Sequence, residues 1–170
     1  PWHRTAVTLH GSVRYFATSQ TDDVWVSVDA GRNWRVALTG AQDDWFRALT
    51  TDGDRHFLIG DYNAYRSDDR GQTLVVLPRP PGPPYRTSTV VWLGDDLYMG
   101  NTVGGAFRST DAGATWEDVS DGSWEAVTGF ARVGDQVLVA TDRGVFAGSS
   151  QRRTGFRWLP RALLSRPVEA

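Results

Sequence analysis

The sequence predicts an all-β protein made of four similar units, and two observations carry this prediction. The phrase Ser-x-Asp-x-Gly-x-x-Trp recurs at 27–34, 67–74 and 109–116, with Leu in place of Trp in the second copy, so that its aspartates are 40 and 42 residues apart. Between the copies, short stretches of alternating apolar and polar residues are separated by Gly and Asp, which is typical of strands and turns. Repeats of this period are typical of a β-propeller, in which each repeat is one four-stranded blade.

Each repeat divides into four short strands joined by turn residues. Strands covered on both faces carry apolar residues on both sides, as 137–140 does. The predicted strands of the first two repeats are 5–10, 13–17, 24–27, 34–38, 45–50, 56–60, 64–67 and 74–77. Those of the last two repeats are 87–93, 97–100, 105–109, 116–119, 126–132, 136–140, 144–147 and 156–159.

These strands predict a single propeller domain at 1–160, with blades at 2–38, 44–78, 85–119 and 124–160 and a C-terminal tail at 161–170. A fourth, eroded copy of the phrase begins at Ser149 and ends at Trp158, and it has lost the Asp and the Gly. Three arrangements remain open for four blades. They close into a ring alone, they pair with a second copy or another chain, or they form part of a larger propeller.

The chemistry of the phrase is that of a tight turn between two strands. The Asp side chain accepts hydrogen bonds from nearby backbone N–H groups, and the Ser hydroxyl does so more weakly. Gly supplies the positive φ that the turn requires. The Trp begins the next strand and buries a large apolar face.

On these residues the phrase resembles the Asp-box, or BNR repeat, of the β-propeller family that includes sialidases, sortilin-type receptors, lectins and photosystem II assembly factors. The wording and spacing are closest to the photosystem II assembly and stability factors and to sortilin- and sialidase-type repeats. The resemblance implies that the box lies on the blade periphery, away from the ligand face. It therefore implies structural roles for Ser27, Asp29, Gly31, Trp34, Ser67, Asp69, Gly71, Ser109, Asp111, Gly113 and Trp116.

Composition excludes several functions. The 170-residue chain has a formal charge of −2, so it lacks the basic field that holds a nucleic acid. No apolar run reaches membrane-spanning length. The chain has no Cys, and all 18 basic residues are Arg, which excludes thiolate sites and lysine Schiff bases. The three histidines show no metal-ligand spacing, so we expect no metal and no cofactor.

A candidate binding face follows from an aromatic residue that opens each blade, at Trp2, Trp45, Tyr85 and Trp124. Aromatic rings beside planar charged groups suit a sugar, and Trp, Tyr and Arg also mark protein-binding hot spots. A third interpretation is that these aromatics pack neighbouring blades together. The polar neighbours and the inner hairpin loops add Arg4, Asp44, Arg47, Tyr62, Asn63, Arg86, Asn101, Glu125 and Arg143 to this partner or glycan face.

The predicted function is non-catalytic binding. No Arg-Ile-Pro motif of the sialidases is present, and Glu125 is the one glutamate placed where a hydrolase would need it. We expect an interaction scaffold, an accessory or assembly subunit of a larger bacterial membrane or photosynthetic complex, with a protein partner. A lectin is the alternative, and a glycoside hydrolase is third. The family resemblance and a start at Pro1 that suggests a trimmed product predict a periplasmic or extracellular location.

Overall fold

The computed structural model describes residues 5–10, 12–18, 23–39, 47–60, 62–78, 87–120, 122, 125–149 and 159–160. In these ranges the chain is all-β, as the sequence predicts. None of their residues belongs to a helix long and apolar enough to cross a membrane.

Sixteen strands in the described ranges form four antiparallel sheets of four strands each. Sheet 1 contains β1 (Thr5–His10), β2 (Val13–Thr18), β3 (Val24–Ser27) and β4 (Arg35–Leu38). Sheet 2 contains β5 (Ala48–Thr51), β6 (His56–Ile59), β7 (Ala64–Ser67) and β8 (Val75–Leu77). Sheet 3 contains β9 (Thr87–Leu93), β10 (Asp96–Asn101), β11 (Ala106–Ser109) and β12 (Glu117–Asp118). Sheet 4 contains β13 (Val127–Val133), β14 (Gln136–Thr141), β15 (Gly144–Ser149) and β16 (Leu159–Pro160).

Each sheet is a meander, in which every strand pairs with the next strand along the chain. The first strand of each sheet is its inner strand. Strand β5 contacts β9, and β9 contacts β13, so sheets 2, 3 and 4 stack side by side like the blades of a propeller. This is the propeller arrangement that the repeat period predicts.

The eroded fourth copy differs from its prediction by one residue. In sheet 3, Ser109 of the phrase lies opposite Leu97, whereas the corresponding Val137 of sheet 4 lies opposite Gly148 rather than Ser149. The cause is the β14–β15 connection, where Thr141 pairs directly with Gly144 in a tight turn. Ala140 and Val145, which correspond to Gly100 and Ala106, have four residues between them rather than five, so a fixed 40-residue spacing overshoots by one.

Within the described ranges, three apolar cores lie between consecutive sheets. Sheets 1 and 2 bury Val24, Val26, Leu58 and Tyr65 together with Val13 and Tyr15. Sheets 2 and 3 bury Phe57, Ile59, Ala64, Val90, Trp92, Leu97, Met99 and Phe107. Sheets 3 and 4 bury Tyr98, Ala106, Val119, Val127, Val137 and Val139. Each sheet is therefore held mainly by its neighbours in sequence, as in repeat proteins.

Candidate functional site on the loop face

The sheet topology brings one set of loops to a single face. Ala48 at the start of β5 pairs with Ile59, and Ile59 pairs with Ala64, so the β6–β7 loop lies at the end where β5 begins. The starts of neighbouring sheets also lie together, since the Ser88 hydroxyl donates to the Val127 carbonyl. We call this face the loop face. It is formed by the hairpin loops 60–63, 101–105 and 142–143 and by the residues that enter the inner strands.

The β6–β7 loop presents an aromatic ring. Gly60 N donates to the Asn63 carbonyl at 2.9 Å and closes a tight loop, at whose tip Tyr62 is 49% exposed. Asn63 is half-buried, and its amide nitrogen lies 3.5 Å from the Tyr65 hydroxyl. Arg47 leads into β5, where its N–H donates to the Ile59 carbonyl at 2.7 Å.

The equivalent loop of sheet 3 presents an apolar side chain. Asn101 is only 3% exposed, and its Oδ1 accepts from Val103 N at 3.0 Å and from Gly105 N at 2.7 Å. The Asn101 side chain therefore holds the loop in shape through buried hydrogen bonds. It does not face outward, as a residue of the predicted binding face would. Val103 at the tip is 48% exposed. Sequence reasoning missed Val103, because a lone valine in a Gly-rich loop carries no pattern.

In sheet 4 the structure brings two predicted residues together. Asp142 Oδ1 accepts from the N–H groups of Glu125 and Ala126, each at 3.0 Å, and so ties the entry of β13 to the β14–β15 loop. The hydrogen bond from Ala126 N is the main cause that lowers the pKa of Asp142. Arg143 Nη2 lies 3.7 Å from Glu125 Oε1, with both side chains exposed to solvent.

The other predicted face residues lie outside the described ranges: Trp2, Arg4, Asp44, Trp45, Tyr85, Arg86 and Trp124. The aromatic ring that would stack on a sugar therefore stays a prediction. Within the described ranges, no three acidic or histidine side chains form a group that could hold a metal ion.

The repeated phrase has the same hydrogen-bond geometry in all three copies. In the first copy, Ser27 Oγ donates to Asp29 Oδ1 and accepts from Gly31 N, both at 2.8 Å. Asp29 then accepts from Asn33 through the backbone N–H at 2.9 Å and through the side-chain amide at 2.6 Å. The serine and the aspartate thus satisfy donors that a tight turn would otherwise leave unpaired.

The second and third copies repeat these contacts with threonine in the place of Asn33. Asp69 Oδ1 accepts from Thr73 N at 2.8 Å and Oδ2 from the Thr73 hydroxyl at 2.8 Å. Asp111 accepts the same pair from Thr115 at 2.8 and 2.6 Å. Each of these carboxylates is occupied by its own turn.

These contacts keep the aspartates ionised. Hydrogen bonds from Asn33, first through its backbone and then through its side chain, lower the pKa of Asp29 to about 2. Burial opposes ionisation of Asp69 and Asp111, but the hydrogen bonds from Thr73 and Thr115 outweigh it and lower the pKa of both carboxyls.

The turn contains a feature that sequence reasoning missed. The residue before each phrase glycine also has positive φ: 63° at Ala30, 58° at Arg70 and 56° at Ala112. A side chain in this region is strained by about 1 kcal/mol or more. Since Ala and Arg are not residues that favour this conformation, nothing in the sequence marks the position.

The phrase glycines also form part of the contacts between sheets. The Tyr15 hydroxyl of sheet 1 lies against Gly71 of sheet 2, and the Phe57 ring of sheet 2 lies against Gly113 of sheet 3. Neither site leaves room for a β-carbon. Two features therefore require glycine at these positions: the positive φ, and the close approach of an aromatic ring from the preceding sheet.

No protein-family model matches the chain, and no curated protein matches it. Solved β-propeller structures do. A YCF48 chain bound to a D1 peptide is similar over 86% of this chain and 50% of its own length, with 16% identity and a TM-score of 0.56. YCF48 from Cyanidioschyzon merolae is similar over 95% of this chain and 58% of its own, with 14% identity and a TM-score of 0.58.

The GH74 enzyme of Niastella koreensis is similar over 92% of this chain and 24% of its own, with 19% identity and a TM-score of 0.60. This chain thus spans about half the length of the YCF48 chains that it matches. At these identities the likeness shows the fold, which is a β-propeller.

Proposed function

We propose that this chain is a non-catalytic propeller module that binds a protein partner on its loop face, as an accessory or assembly subunit of a larger bacterial complex outside the cytoplasm. One observation carries the proposal. Equivalent loops of adjacent sheets carry Tyr62 and Val103, whose side chains are 49% and 48% exposed, at positions where small polar turn residues would suffice. Exposed aromatic and apolar side chains on a rigid scaffold are typical of protein-binding surfaces.

The described carboxylates support a role without catalysis. A general acid needs a raised pKa, whereas Asp29, Asp69, Asp111 and Asp142 all have lowered pKa values because hydrogen bonds hold the ionised form. Glu125, the one glutamate predicted for a hydrolase, has an 80% exposed side chain beside Arg143. A catalytic carboxyl is usually desolvated, whereas the Glu125 side chain is open to solvent.

The structural neighbours are consistent with peptide recognition by this fold. A propeller of the YCF48 type is described bound to a D1 peptide. The GH74 neighbour is an enzyme, so the fold alone leaves the reaction class open. The choice between a binding protein and an enzyme therefore depends on the residues of the loop face.

The test is native mass spectrometry of the protein isolated from its source, followed by cross-linking to place the partner. We expect a complex in which partner cross-links map to the loop face. Tyr62→Ala and Val103→Asp should lose the partner, while Val76→Asp, an equally exposed valine on the outer strand β8, should retain it. Glycan binding, or turnover of a chromogenic glycoside that Glu125→Gln abolishes, would contradict the proposal.

A further inference from the structure

The first interface, between sheets 1 and 2, contains a titratable pair in its core. Tyr15 of β2 and His56 of β6 are 4% and 1% exposed, and the Tyr15 hydroxyl lies 2.5 Å from His56 Nδ1. The two rings meet edge to face, with their centroids 5.4 Å apart and their planes at 86°. A buried hydrogen bond therefore connects the two sheets.

The position of His56 is aliphatic in the next two sheets. The hairpin pairings place Leu97 of sheet 3 and Val137 of sheet 4 at this position. Both are as fully buried as His56, and Leu97 packs with Phe57 in the core of the second interface, between sheets 2 and 3. A buried polar group costs free energy unless it is hydrogen-bonded. The first interface therefore depends on the protonation of one ring, whereas the second does not.

The surroundings fix where the protons of this pair lie. Burial raises the pKa of Tyr15, so its hydroxyl keeps the proton. Ser67 Oγ also lies near this hydroxyl, but it donates to Asp69 Oδ1 at 2.8 Å and accepts from the N–H groups of Gly71 and Asp69 at 2.7 and 3.3 Å. The Tyr15 proton is therefore donated to His56 Nδ1, which can accept it only while the ring is neutral.

Charged groups reach the pair from two neighbouring elements. The Asp69 carboxylate lies in the repeated turn of sheet 2, and the Arg35 guanidinium extends from β4 of sheet 1. Their effects on the pKa of Tyr15 have opposite signs, and both are smaller than the effect of burial. Ahead of β6, Asp54 and Arg70 pair with each other at 2.6 Å, and both side chains are 68% exposed. Burial is therefore the main influence on the pair.

The packing holds the Tyr15 ring in place. Its hydroxyl lies against Gly71, where a β-carbon would clash with it, and the ring shares its core with Val26 and Leu58. The ring therefore cannot turn to another partner while the two sheets stay packed. A proton on His56 Nδ1 would turn that atom from an acceptor into a donor and would place two donors opposite each other in the core.

We propose that proton uptake by His56 opens the first interface, so that sheet 1 separates from sheet 2 in mild acid while sheets 2, 3 and 4 stay packed. The proton comes from water and adds to Nδ1, and the charged ring then leaves the core because a buried charge is costly. A histidine in water takes up its proton near pH 6.5, so the open state is favoured as the pH falls below about this value. No covalent bond changes, and a return to neutral pH closes the interface again.

Hydrogen exchange of the full chain at pH 7 and pH 5 tests this proposal, with the rates of the unfolded chain used to correct for the effect of pH on exchange itself. We expect the amides of β2 and β3 to lose about tenfold in protection at pH 5, while those of β10 and β14 keep theirs. Unchanged protection of β2 and β3 would overturn the proposal. An equal loss in all four sheets would also overturn it, because acid would then unfold the chain as a whole.

Variants assign the effect to one histidine, since His3, His10 and His56 are the three in the chain and histidine is the side chain that ordinarily titrates between pH 5 and 7. His56→Gln keeps an acceptor for Tyr15 but does not titrate in this range. Its β2 and β3 amides should therefore be equally protected at both pH values. Tyr15→Phe/His56→Leu, which reproduces the apolar pair of the second interface, should behave in the same way.

The matched controls are His3→Gln and His10→Gln, which should keep the loss of protection at pH 5. A loss that persists in both His56 variants, or that disappears in either control, would overturn the assignment to His56. Circular dichroism at pH 7 confirms that each variant folds.

Discussion

At the scale of single residues, the repeated turn is stabilised by hydrogen bonds to ionised carboxylates as well as by a glycine that accepts a positive φ. Asp29, Asp69 and Asp111 each accept two hydrogen bonds from the residue four positions later, and each has a serine hydroxyl on Oδ1. Hydrogen bonds to an ionised group are stronger than those to a neutral one. The sequence predicted that these aspartates accept hydrogen bonds from nearby backbone N–H groups, because that chemistry is local and lies within eight consecutive positions.

A pH dependence follows from the lowered pKa of Asp29. A folded-state pKa of about 2, below the ordinary 3.8, means that the carboxylate stabilises the fold above pH 4. This stabilisation is lost as the pH falls from about 4 towards 2. Asp29→Asn should therefore be less stable than the unmodified protein at pH 6, and the two should converge near pH 2. Urea unfolding across this range measures the difference.

The control for this prediction is Asp95→Asn, whose carboxylate is 99% exposed. That carboxylate forms an ion pair with Arg55 at 3.6 Å, and an ion pair this exposed contributes little, so the variant should change the free energy of unfolding little. A constant difference between Asp29→Asn and the unmodified protein down to pH 2 would contradict the role assigned to the charge of Asp29.

A second residue-scale prediction concerns the buried pair Tyr15 and His56. Their hydrogen bond crosses the first interface, and the corresponding positions in the next interface hold the apolar pair Phe57 and Leu97. Burial raises the pKa of Tyr15, so its hydroxyl stays protonated. Tyr15→Phe alone leaves His56 without this partner in the core and should cost about 1–3 kcal/mol of unfolding free energy.

The double variant Tyr15→Phe/His56→Leu recreates the next interface and should recover most of that loss. A double-mutant cycle in urea measures the coupling. If the effects of Tyr15→Phe and His56→Leu on the free energy of unfolding were additive, the predicted coupling between the two residues would be wrong. Sequence reasoning did not find this pair because its members are 41 residues apart and become neighbours only when the sheets stack.

At the scale of an element, the turn glycines differ although their sequences agree. Gly31 and Gly113 share a φ of 89°. Phe57 of the preceding sheet lies against Gly113, whereas the side chains nearest to where a β-carbon of Gly31 would lie are the flexible Arg14 at 3.3 Å and Trp34 at 3.8 Å. Both alanine variants incur the same backbone strain. Gly113→Ala adds a clash within a packed core and should be less stable than Gly31→Ala by about 1–3 kcal/mol.

Thermal unfolding of both variants measures this difference. Phe57→Leu combined with Gly113→Ala should recover part of the loss, since a smaller side chain makes room for the β-carbon. Equal destabilisation of the two glycine variants would show that φ alone decides the cost.

The elements show where prediction from sequence ends. Inner strand β9 covers the predicted 87–93, because seven alternating residues and a Gly-Asp turn define it locally. The outer strands shorten: β12 contains only Glu117 and Asp118 of the predicted 116–119. Outer strands pair on one edge only, so their ends depend on tertiary contacts that a local pattern does not contain. The register of Ser149 differs from its prediction because the β14–β15 hairpin is one residue shorter.

At the scale of the whole molecule, the repeat period predicts the number and order of the sheets but not how their ends are covered. Every described core joins consecutive sheets, and the same residue positions are used each time. The repeat period therefore specifies the interface between two consecutive sheets, but it does not specify how many sheets complete the ring. Ring closure depends on the angle between blades, which accumulates from small differences in packing and has no counterpart in the sequence.

This nearest-neighbour organisation predicts an uneven distribution of stability. Sheets 2 and 3 are packed on both faces, whereas sheets 1 and 4 contact one neighbour each within the described ranges. Local opening follows the amount of buried apolar surface. Backbone amides of β6 and β10 should therefore exchange with deuterium more slowly than those of β2 and β14.

Hydrogen exchange followed by mass spectrometry measures each strand separately. Equal protection of all four strands would mean that the molecule unfolds as one unit. The interfaces would then act together rather than as separate contacts between neighbours.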